Sequence, residues 1–101
     1  MISIITPVLN GAKTIGRTLK ALSVQKADFE HIVQDGGSRD GTQDIVREYS
    51  RIYPVRLCEE KDTGHFDALQ RGVAKARGES IQAQVAAKTR RDSGLLAQFS
   101  I

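Results

Sequence analysis

Three short segments of the chain concentrate the side chains that could hold a polar ligand. They are rich in aspartate, glycine, threonine and asparagine, which supply hydrogen-bonding groups and tight turns. Such side chains suit a ligand that carries a base, a ribose and phosphates. The segments are residues 6–10 (Thr-Pro-Val-Leu-Asn), 35–42 (Asp-Gly-Gly-Ser-Arg-Asp-Gly-Thr) and 61–67 (Lys-Asp-Thr-Gly-His-Phe-Asp).

The common nucleotide-binding signatures are missing from the sequence. No G-x-G-x-x-G follows the first apolar run, and no Gly-Lys-Ser/Thr of the Walker type occurs. Dinucleotide and P-loop sites are therefore excluded, and phosphates would have to be bound by helix N-termini or by a metal ion. Cys58 is the only cysteine, which excludes an intrachain disulfide and any Cys/His metal spacing.

Composition sets wide limits on the class of protein. The 101 residues allow one domain at most, with 40% apolar and 27% charged residues, as in soluble globular proteins. The net charge of +3 comes from 15 Lys+Arg against 12 Asp+Glu. The sequence shows neither a basic face nor a recognisable nucleic-acid-binding module, so nucleic-acid binding is not favoured. No apolar run approaches the roughly 18 residues of a membrane span. A cytoplasmic chain is expected, with membrane association of a longer parent as the alternative.

The elements that position these segments alternate between strands and helices. Residues 2–8 form an apolar, β-branched run, which is typical of a parallel strand buried on both faces. Asn10 is suited to the N-cap of the following helix. Ile15, Leu19 and Leu22 give that helix one apolar stripe.

The second and third units repeat this alternation. Residues 29–34 form a second strand, and Asp40 with Gln43 resembles a capping box that starts a second helix, with Ile45, Val46 and Tyr49 on its apolar face. Residues 55–59 are short and polar, as expected of an edge strand. The third helix is expected to bury Phe66, Leu69, Val73 and Ala76 and to end at Arg77-Gly78.

This βαβαβα order predicts an α/β fold with three layers, in which an open, mostly parallel sheet lies between helices. Ligands of such sheets bind beyond the carboxyl ends of the strands, where the three polar segments would meet. Residues 80–87 fit either a fourth strand or a helix, and residues 88–94 resemble a solvated loop. We therefore divide the chain into residues 1–79 and a divergent tail, 80–101, that ends in a loop or short helix.

At these segments the sequence resembles family 2 glycosyltransferases of the GT-A fold. Residues 6–10 match the family's Thr-Pro-x-x-Asn, and residues 35–42 match Asp-Gly-(Gly)-Ser-x-Asp-Gly-Thr. The family's third motif, Asp-x-Gly-x-aromatic-Asp-Ala-x-Asn-x-Gly, is matched over residues 62–72, with Gln70 in place of asparagine. Because the three motifs occur in the family's order across residues 2–78, the chain is identified as a nucleotide-binding N-terminal portion of such an enzyme.

The resemblance implies a function and a set of site residues. The parent would transfer a sugar from a nucleotide-diphosphate sugar, UDP- or dTDP-linked, to an acceptor hydroxyl with inversion. Thr6 and Asp35 would hold the nucleobase and ribose, with Asp35 accepting a hydrogen bond from a pyrimidine N–H. Asp62 would lie over the same pocket. The residues that the resemblance assigns to nucleotide binding are Thr6, Pro7, Val8, Asn10, Asp35, Gly36, Asp62 and Asp67.

The sequence departs from the family where the metal site should be. The family's fourth strand ends in Asp-x-Asp or Ala-Asp-Asp, which binds Mg²⁺ or Mn²⁺, whereas here residues 82–88 contain no acid and Asp92 stands alone. No catalytic or metal-binding residue is therefore assigned. The alternatives to a transferase fragment are a non-catalytic remnant or nucleotide-binding module and an unrelated doubly wound binding protein.

Several polar residues also have structural explanations. Asp40 and Thr42 are expected to cap a helix rather than bind a ligand, and Asp67 could serve the helix dipole instead of the site. His31 is expected to be a hydrogen-bonded, partly buried residue, whereas His65 should be exposed in its loop. Cys58 is expected to be a small core residue, and Lys88, Arg90 and Arg91 a solvated tail.

Strand pairing gives a prediction about self-association. In the family, the first strand is central and pairs with the second and fourth strands. If residues 80–87 did not form a strand, the apolar edge of residues 2–8 would be open to another chain. Self-association through that edge, or marginal stability, would follow.

Overall fold

The computed structural model describes residues 1–86 and 96–100. The order of elements there is βαβαβαββ, with the predicted βαβαβα unit leading the chain. The elements are β1 (Ile2–Val8), α1 (Ala12–Ser23), β2 (Phe29–Asp35), α2 (Thr42–Tyr49), β3 (Val55–Glu59), α3 (His65–Val73), β4 (Ser80–Ala86) and β5 (Leu96–Ser100).

A single five-stranded sheet has the order β3-β2-β1-β4-β5. β1 runs parallel to both β2 and β4, β2 runs parallel to β3, and only β5 is antiparallel to its neighbour. The full-length register of β1 with β2, from Ile2 opposite Phe29 to Val8 opposite Asp35, brings the ends of these strands level. The predicted mostly parallel α/β architecture is confirmed.

Both faces of β1 are buried, which makes the sheet the middle layer. Alternate side chains of a strand point to opposite faces. Ile4 and Val8 belong to the core with α1 and α2, and Ile5 packs on the other side against Gly72 of α3. The predicted stripe of α1 (Ile15, Leu19, Leu22) is buried in the first of these cores.

The fourth strand settles the alternative that the sequence left open. Ser80–Ala86 form β4, paired with β1 from Ile2 opposite Ser80 to Ile5 opposite Ala83. Leu96–Ser100 form β5, so the prediction of a loop or short helix is wrong for these residues, and the predicted loop at 88–94 lies outside the described part of the chain. Since β1 is paired on both sides, the condition for self-association through its edge is not met.

The starts of α1 and α2 differ from prediction. Gly11, not Asn10, is the N-cap of α1, and Asn10 has a φ of 52° in the left-handed region. The capping box is also wrong, because Gly41 is the N-cap of α2 and Gln43 donates to Asp35 Oδ2 (2.8 Å). Neither side chain bonds within its own helix start, because Asn10 Oδ1 accepts from the Arg39 N–H and Gln43 bonds back to the end of β2.

Helix α3 buries a different face from the one predicted. Its buried residues are the small Ala68 and Gly72, whereas Phe66 is 73% exposed. The helix ends at Val73, before the predicted stop at Arg77-Gly78. Its outer face forms a groove of about 470 Å³ lined by Phe66, Leu69, Gln70, Val73 and Ala74.

In the described part of the chain, no helix is both long and apolar enough to span a bilayer.

Candidate functional site

The three polar segments emerge side by side at the carboxyl edge of the sheet. The Gly36 N–H donates to the Val8 carbonyl (3.0 Å), which continues the β1–β2 pairing beyond the last strand residues. The Glu60 N–H donates to the Asp35 carbonyl (2.9 Å) and does the same for β2 and β3. The strand exits are therefore joined by backbone hydrogen bonds.

Asp62, on the third segment, lies directly against Gly36 on the second. A Cβ atom added to Gly36 would lie 2.5 Å from Asp62 Oδ2, so this carboxylate would have to move if position 36 carried a side chain. Asp62 Oδ1 accepts a hydrogen bond from the Gly64 N–H (2.9 Å). Oδ2 accepts none from the residues that the structure describes, which leaves it able to accept one from a ligand.

Asp35 is fully buried and its carboxylate is occupied by its own loop. Oδ2 accepts from the N–H groups of Gly37 (3.1 Å) and Ser38 (3.0 Å) and from the Gln43 side-chain amide (2.8 Å). Oδ1 accepts from the Ser38 hydroxyl. These four donors make Asp35 the centre around which residues 36–43 fold.

The first segment presents mainly backbone and Asn10 to the site. Thr6, Pro7 and Val8 are buried, while Leu9 is 47% exposed. The Asn10 N–H donates to Ser38 Oγ (2.7 Å), and Asn10 Oδ1 accepts from the Arg39 N–H (2.8 Å). Asn10 therefore joins the first segment to the second.

The Thr6 hydroxyl belongs to a buried chain of three polar side chains beneath the site. It lies 2.8 Å from His31 Nε2, and His31 Nδ1 lies 2.7 Å from the Tyr53 hydroxyl. Burial lowers the pKa of His31 to about 3 and raises that of Tyr53. A neutral imidazole donates from one ring nitrogen and accepts at the other, so it satisfies both hydroxyls. The predicted hydrogen bonding of His31 is confirmed, and its side chain is fully rather than partly buried.

Asp67 is a half-buried helix-start residue held by two partners. Its Oδ2 accepts from the Thr63 N–H (3.0 Å) and from Arg71 Nε (3.1 Å). The Thr63 N–H, followed by the Arg71 side chain, holds the pKa of Asp67 below its usual value. Asp67 thus fixes the start of α3, which is the structural alternative that the sequence suggested.

Glu60, which the sequence did not single out, is the centre of a second polar network. It forms ion pairs with Lys75 and with Arg71 (3.4 Å), and it accepts from the Gln34 amide (2.9 Å). The Lys75 hydrogen bond is the main reason why the pKa of Glu60 is lowered. The network attaches α3 to the exits of β2 and β3. No motif marks Glu60, because its partners come from distant parts of the chain.

The remaining candidates are His65, Cys58 and three basic residues of the tail. His65, the first residue of α3, is exposed as predicted. Cys58 is half-buried on β3. Lys88, Arg90 and Arg91 lie outside the described residues.

The described residues do not fit a divalent metal ion. Across residues 1–86 and 96–100, no three His, Cys, Asp or Glu side chains are grouped so that they could bind one. Asp35, the most buried carboxylate of the site, already accepts four hydrogen bonds. Asp92 lies outside the described residues.

Comparison with known proteins identifies the family. The sequence model of Glycosyl transferase family 2 matches residues 3–83, which is most of the chain and includes all three motifs. The chain belongs to glycosyltransferase family 2.

Family 2 relatives are much longer than this chain. Glycosyltransferase AglE of Haloferax volcanii is 35% identical over 82 residues, covering 76% of the chain and 27% of the relative. A PGL/p-HBAD biosynthesis glycosyltransferase of Mycobacterium tuberculosis is 41% identical over 81 residues, covering 77% and 32%. The chain thus spans about a third or less of the length of these relatives.

Solved glycosyltransferase structures share the fold. Mannosyltransferase PcManGT from Pyrobaculum calidifontis, in complex with GDP-Man and Mn²⁺, superimposes with a TM-score of 0.78 at 28% identity, over 90% of this chain and 29% of that one. S. aureus TarS 1–349 in complex with UDP-GlcNAc gives a TM-score of 0.78 at 26% identity, over 83% and 26%. The GT-A fold expected from the sequence is confirmed.

Proposed function

We propose that this chain is the nucleotide-binding part of an inverting family 2 glycosyltransferase. In this proposal residues 1–79 hold a UDP- or dTDP-linked sugar, while Ser80–Ala86 and Leu96–Ser100 of the divergent tail (80–101) complete the sheet. Transfer to an acceptor hydroxyl would need groups from a longer parent protein. In this proposal the parent lies in the cytoplasm, either free or associated with a membrane. The chain spans about a third or less of the length of its relatives, which supports the proposal that transfer needs a longer parent.

The contact between Asp62 and Gly36 carries the proposal. It places two family motifs against each other, and it leaves one carboxylate oxygen without a partner in the described part of the chain. A carboxylate can only accept hydrogen bonds, so it selects a base edge that carries an N–H group. Uracil and thymine present such an N–H at N3, whereas cytosine presents an acceptor there.

The other assigned residues support this pocket in different ways. In the proposal, Asp35 and Gly36 shape the loop under the base, and Thr6, Pro7 and Val8 contribute backbone, since their side chains are buried. Asn10 and Asp67 hold the two flanking segments. Asp62 replaces Asp35 as the expected acceptor for the base, because all the hydrogen bonds of Asp35 are made within the protein.

Isothermal titration of the purified chain with UDP and CDP tests the proposal. We expect the wild-type chain to bind UDP. Compared with that, CDP should bind to wild type at least about tenfold more weakly, which is roughly 1.4 kcal/mol. UDP should bind to Asp62→Ala more weakly by at least the same factor. Asp44→Ala is the matched control, because Asp44 is an exposed aspartate whose side chain contacts Arg47. Equal binding of UDP and CDP, or unchanged binding by Asp62→Ala, would contradict this assignment.

Transfer itself is expected to be negligible for the isolated chain. The described carboxylates do not form a group that could bind Mg²⁺ or Mn²⁺ beside a diphosphate. Binding without turnover fits both a transferase fragment and a non-catalytic nucleotide-binding module. Metal-dependent release of UDP from a UDP-sugar by the 101-residue chain would overturn the expectation.

A further inference from the structure

Four hydrogen bonds join residues 10–12 to residues 38–42, and we call this set the loop clasp. Two involve Asn10: its N–H donates to Ser38 Oγ (2.7 Å), and its Oδ1 accepts from the Arg39 N–H (2.8 Å). The Gly11 N–H donates to Thr42 Oγ1 (3.1 Å). The Ala12 N–H donates to Asp40 Oδ2 (3.0 Å).

The loop clasp replaces the local caps that both helices lack. Neither Gly11 nor Gly41, the two N-caps, can offer a side-chain acceptor, and the first N–H groups of a helix need one. Asp40 supplies both helices at once: Oδ2 accepts from Ala12 at the start of α1, and Oδ1 accepts from the Thr42 N–H (3.2 Å) at the start of α2. The Thr42 hydroxyl, which donates to Asp40 Oδ1 (2.5 Å), completes the bridge.

The loop clasp is continuous with the strand exits that form the site. Ser38 Oγ accepts from Asn10 and donates to the buried Asp35 carboxylate. The Gly36 N–H is in turn bonded to Val8. Movement of residues 38–42 would therefore shift Gly36, on which Asp62 rests.

We propose that Asp40 and Thr42 are positioning residues of the nucleotide site, which hold its first two segments in the binding geometry before the nucleotide arrives. Neither side chain needs to touch the ligand. If a variant adopts the binding geometry for only part of the time, its apparent affinity is the intrinsic affinity multiplied by that fraction. This inference rests on the proposed function, since it assumes that the pocket beside Gly36 and Asp62 binds a nucleotide.

Thr42→Val and Thr42→Ser form the decisive pair of variants. Thr42 is fully buried. Valine keeps its shape but removes the hydroxyl, whereas serine keeps the hydroxyl and loses a methyl group. Both variants lose stability, but only valine removes the Gly11 hydrogen bond of the loop clasp and the link from Thr42 to Asp40. UDP affinity is measured by titration at a temperature where circular dichroism shows both variants folded. We expect Thr42→Val to bind at least about tenfold more weakly and Thr42→Ser to remain within about threefold of wild type.

Asp40→Ala provides a second route, because Asp40 is exposed and its removal leaves no cavity. We expect weaker UDP binding together with faster hydrogen exchange at the Ala12 amide, while Asp44→Ala changes neither. If Thr42→Val and Asp40→Ala bind UDP as wild type does, the positioning role is overturned and the proposed function stands. If wild type binds no nucleotide, the proposed function fails and the positioning role fails with it, whereas protection of the Gly11 and Ala12 amides would still show that the loop clasp forms.

Discussion

Side chains of the same type have different roles at the carboxyl edge of the sheet. Asp35 ends β2, Asp62 follows β3, and both belong to family motifs. Asp35 is buried and accepts four hydrogen bonds from its own loop, whereas Asp62 is partly exposed and has an oxygen without a partner among the described residues. Residue type and spacing alone could not separate a carboxylate that builds the loop from one that can meet a ligand.

His31 makes the stability of the fold depend on pH. Burial lowers its pKa to about 3 from 6.5. Because the unfolded chain then binds more protons than the folded chain, stability is complete above pH 6.5 and is lost as the pH falls toward 3. The loss amounts to about 1.4 kcal/mol per pH unit, or about 2 kcal/mol between pH 6.5 and pH 5. Urea unfolding at these two pH values measures it.

Two controls isolate this effect. His31→Gln should lose less than about 0.5 kcal/mol over the same interval, whereas His65→Gln, at an exposed site, should behave like wild type. Carboxylates with a lowered pKa, such as Glu60 beside Lys75, lose their contribution to stability only below the ordinary glutamate pKa of 4.5. Their effect therefore falls at a more acidic pH than that of His31. A wild-type protein that is equally stable at both pH values would contradict the assignment of a neutral, buried His31.

The helices and strands show which local signals were sufficient to predict the fold. The apolar run of β1 and the stripe Ile15, Leu19 and Leu22 predicted buried elements, because burial depends on a pattern within one segment. The helix starts could not be predicted in this way. Asn10 and Gln43 were expected to bond within their own helix starts. Asn10 instead bonds to Arg39 in the second segment, and Gln43 bonds back to Asp35 at the end of β2, and no helix-start pattern encodes these partners.

Helix α3 shows the same limit for packing. The sequence favoured its large apolar residues as the buried face, yet the helix lies so close to β1 that only Ala68 and Gly72 fit between them. A small residue carries little hydrophobic signal, so a close helix–strand contact is not visible as an apolar stripe. Glycine at position 72 is required by the position of Ile5, which only the folded structure reveals.

Gly72→Ala should therefore destabilise the protein although alanine is the better helix former. The added methyl would overlap the Ile5 side chain, and overpacking of this kind costs about 1–3 kcal/mol. Gly16→Ala is the matched control in α1, because nothing lies within 4 Å of its added Cβ. That change should stabilise the protein by about 0.5–1 kcal/mol. Urea unfolding of both variants measures the difference, and a stabilised Gly72→Ala would show that α3 does not lie against Ile5.

An exposed apolar surface of the molecule lies on α3, away from the edge of β1 at which self-association was predicted. β1 is paired on both sides, so its edge cannot recruit another chain. The outer face of α3 instead presents the 73% exposed Phe66 beside a groove of about 470 Å³. Phe66 lines this groove together with the partly exposed Leu69 and Val73, whereas single exposed apolar residues such as Ile52 are ordinary on a protein surface.

We expect the chain to self-associate through this face of α3, and Phe66→Ser to reduce the association. Sedimentation velocity over a hundredfold concentration range would show a concentration-dependent increase in mean mass for wild type and a smaller one for the variant. Ile52→Ser is the matched control, because Ile52 is 64% exposed but lies on the turn after α2, away from the groove. It should associate as wild type does. If wild type stays monomeric throughout, or if both variants reduce association equally, the groove on α3 is not the contact, and its apolar face must be accounted for in another way.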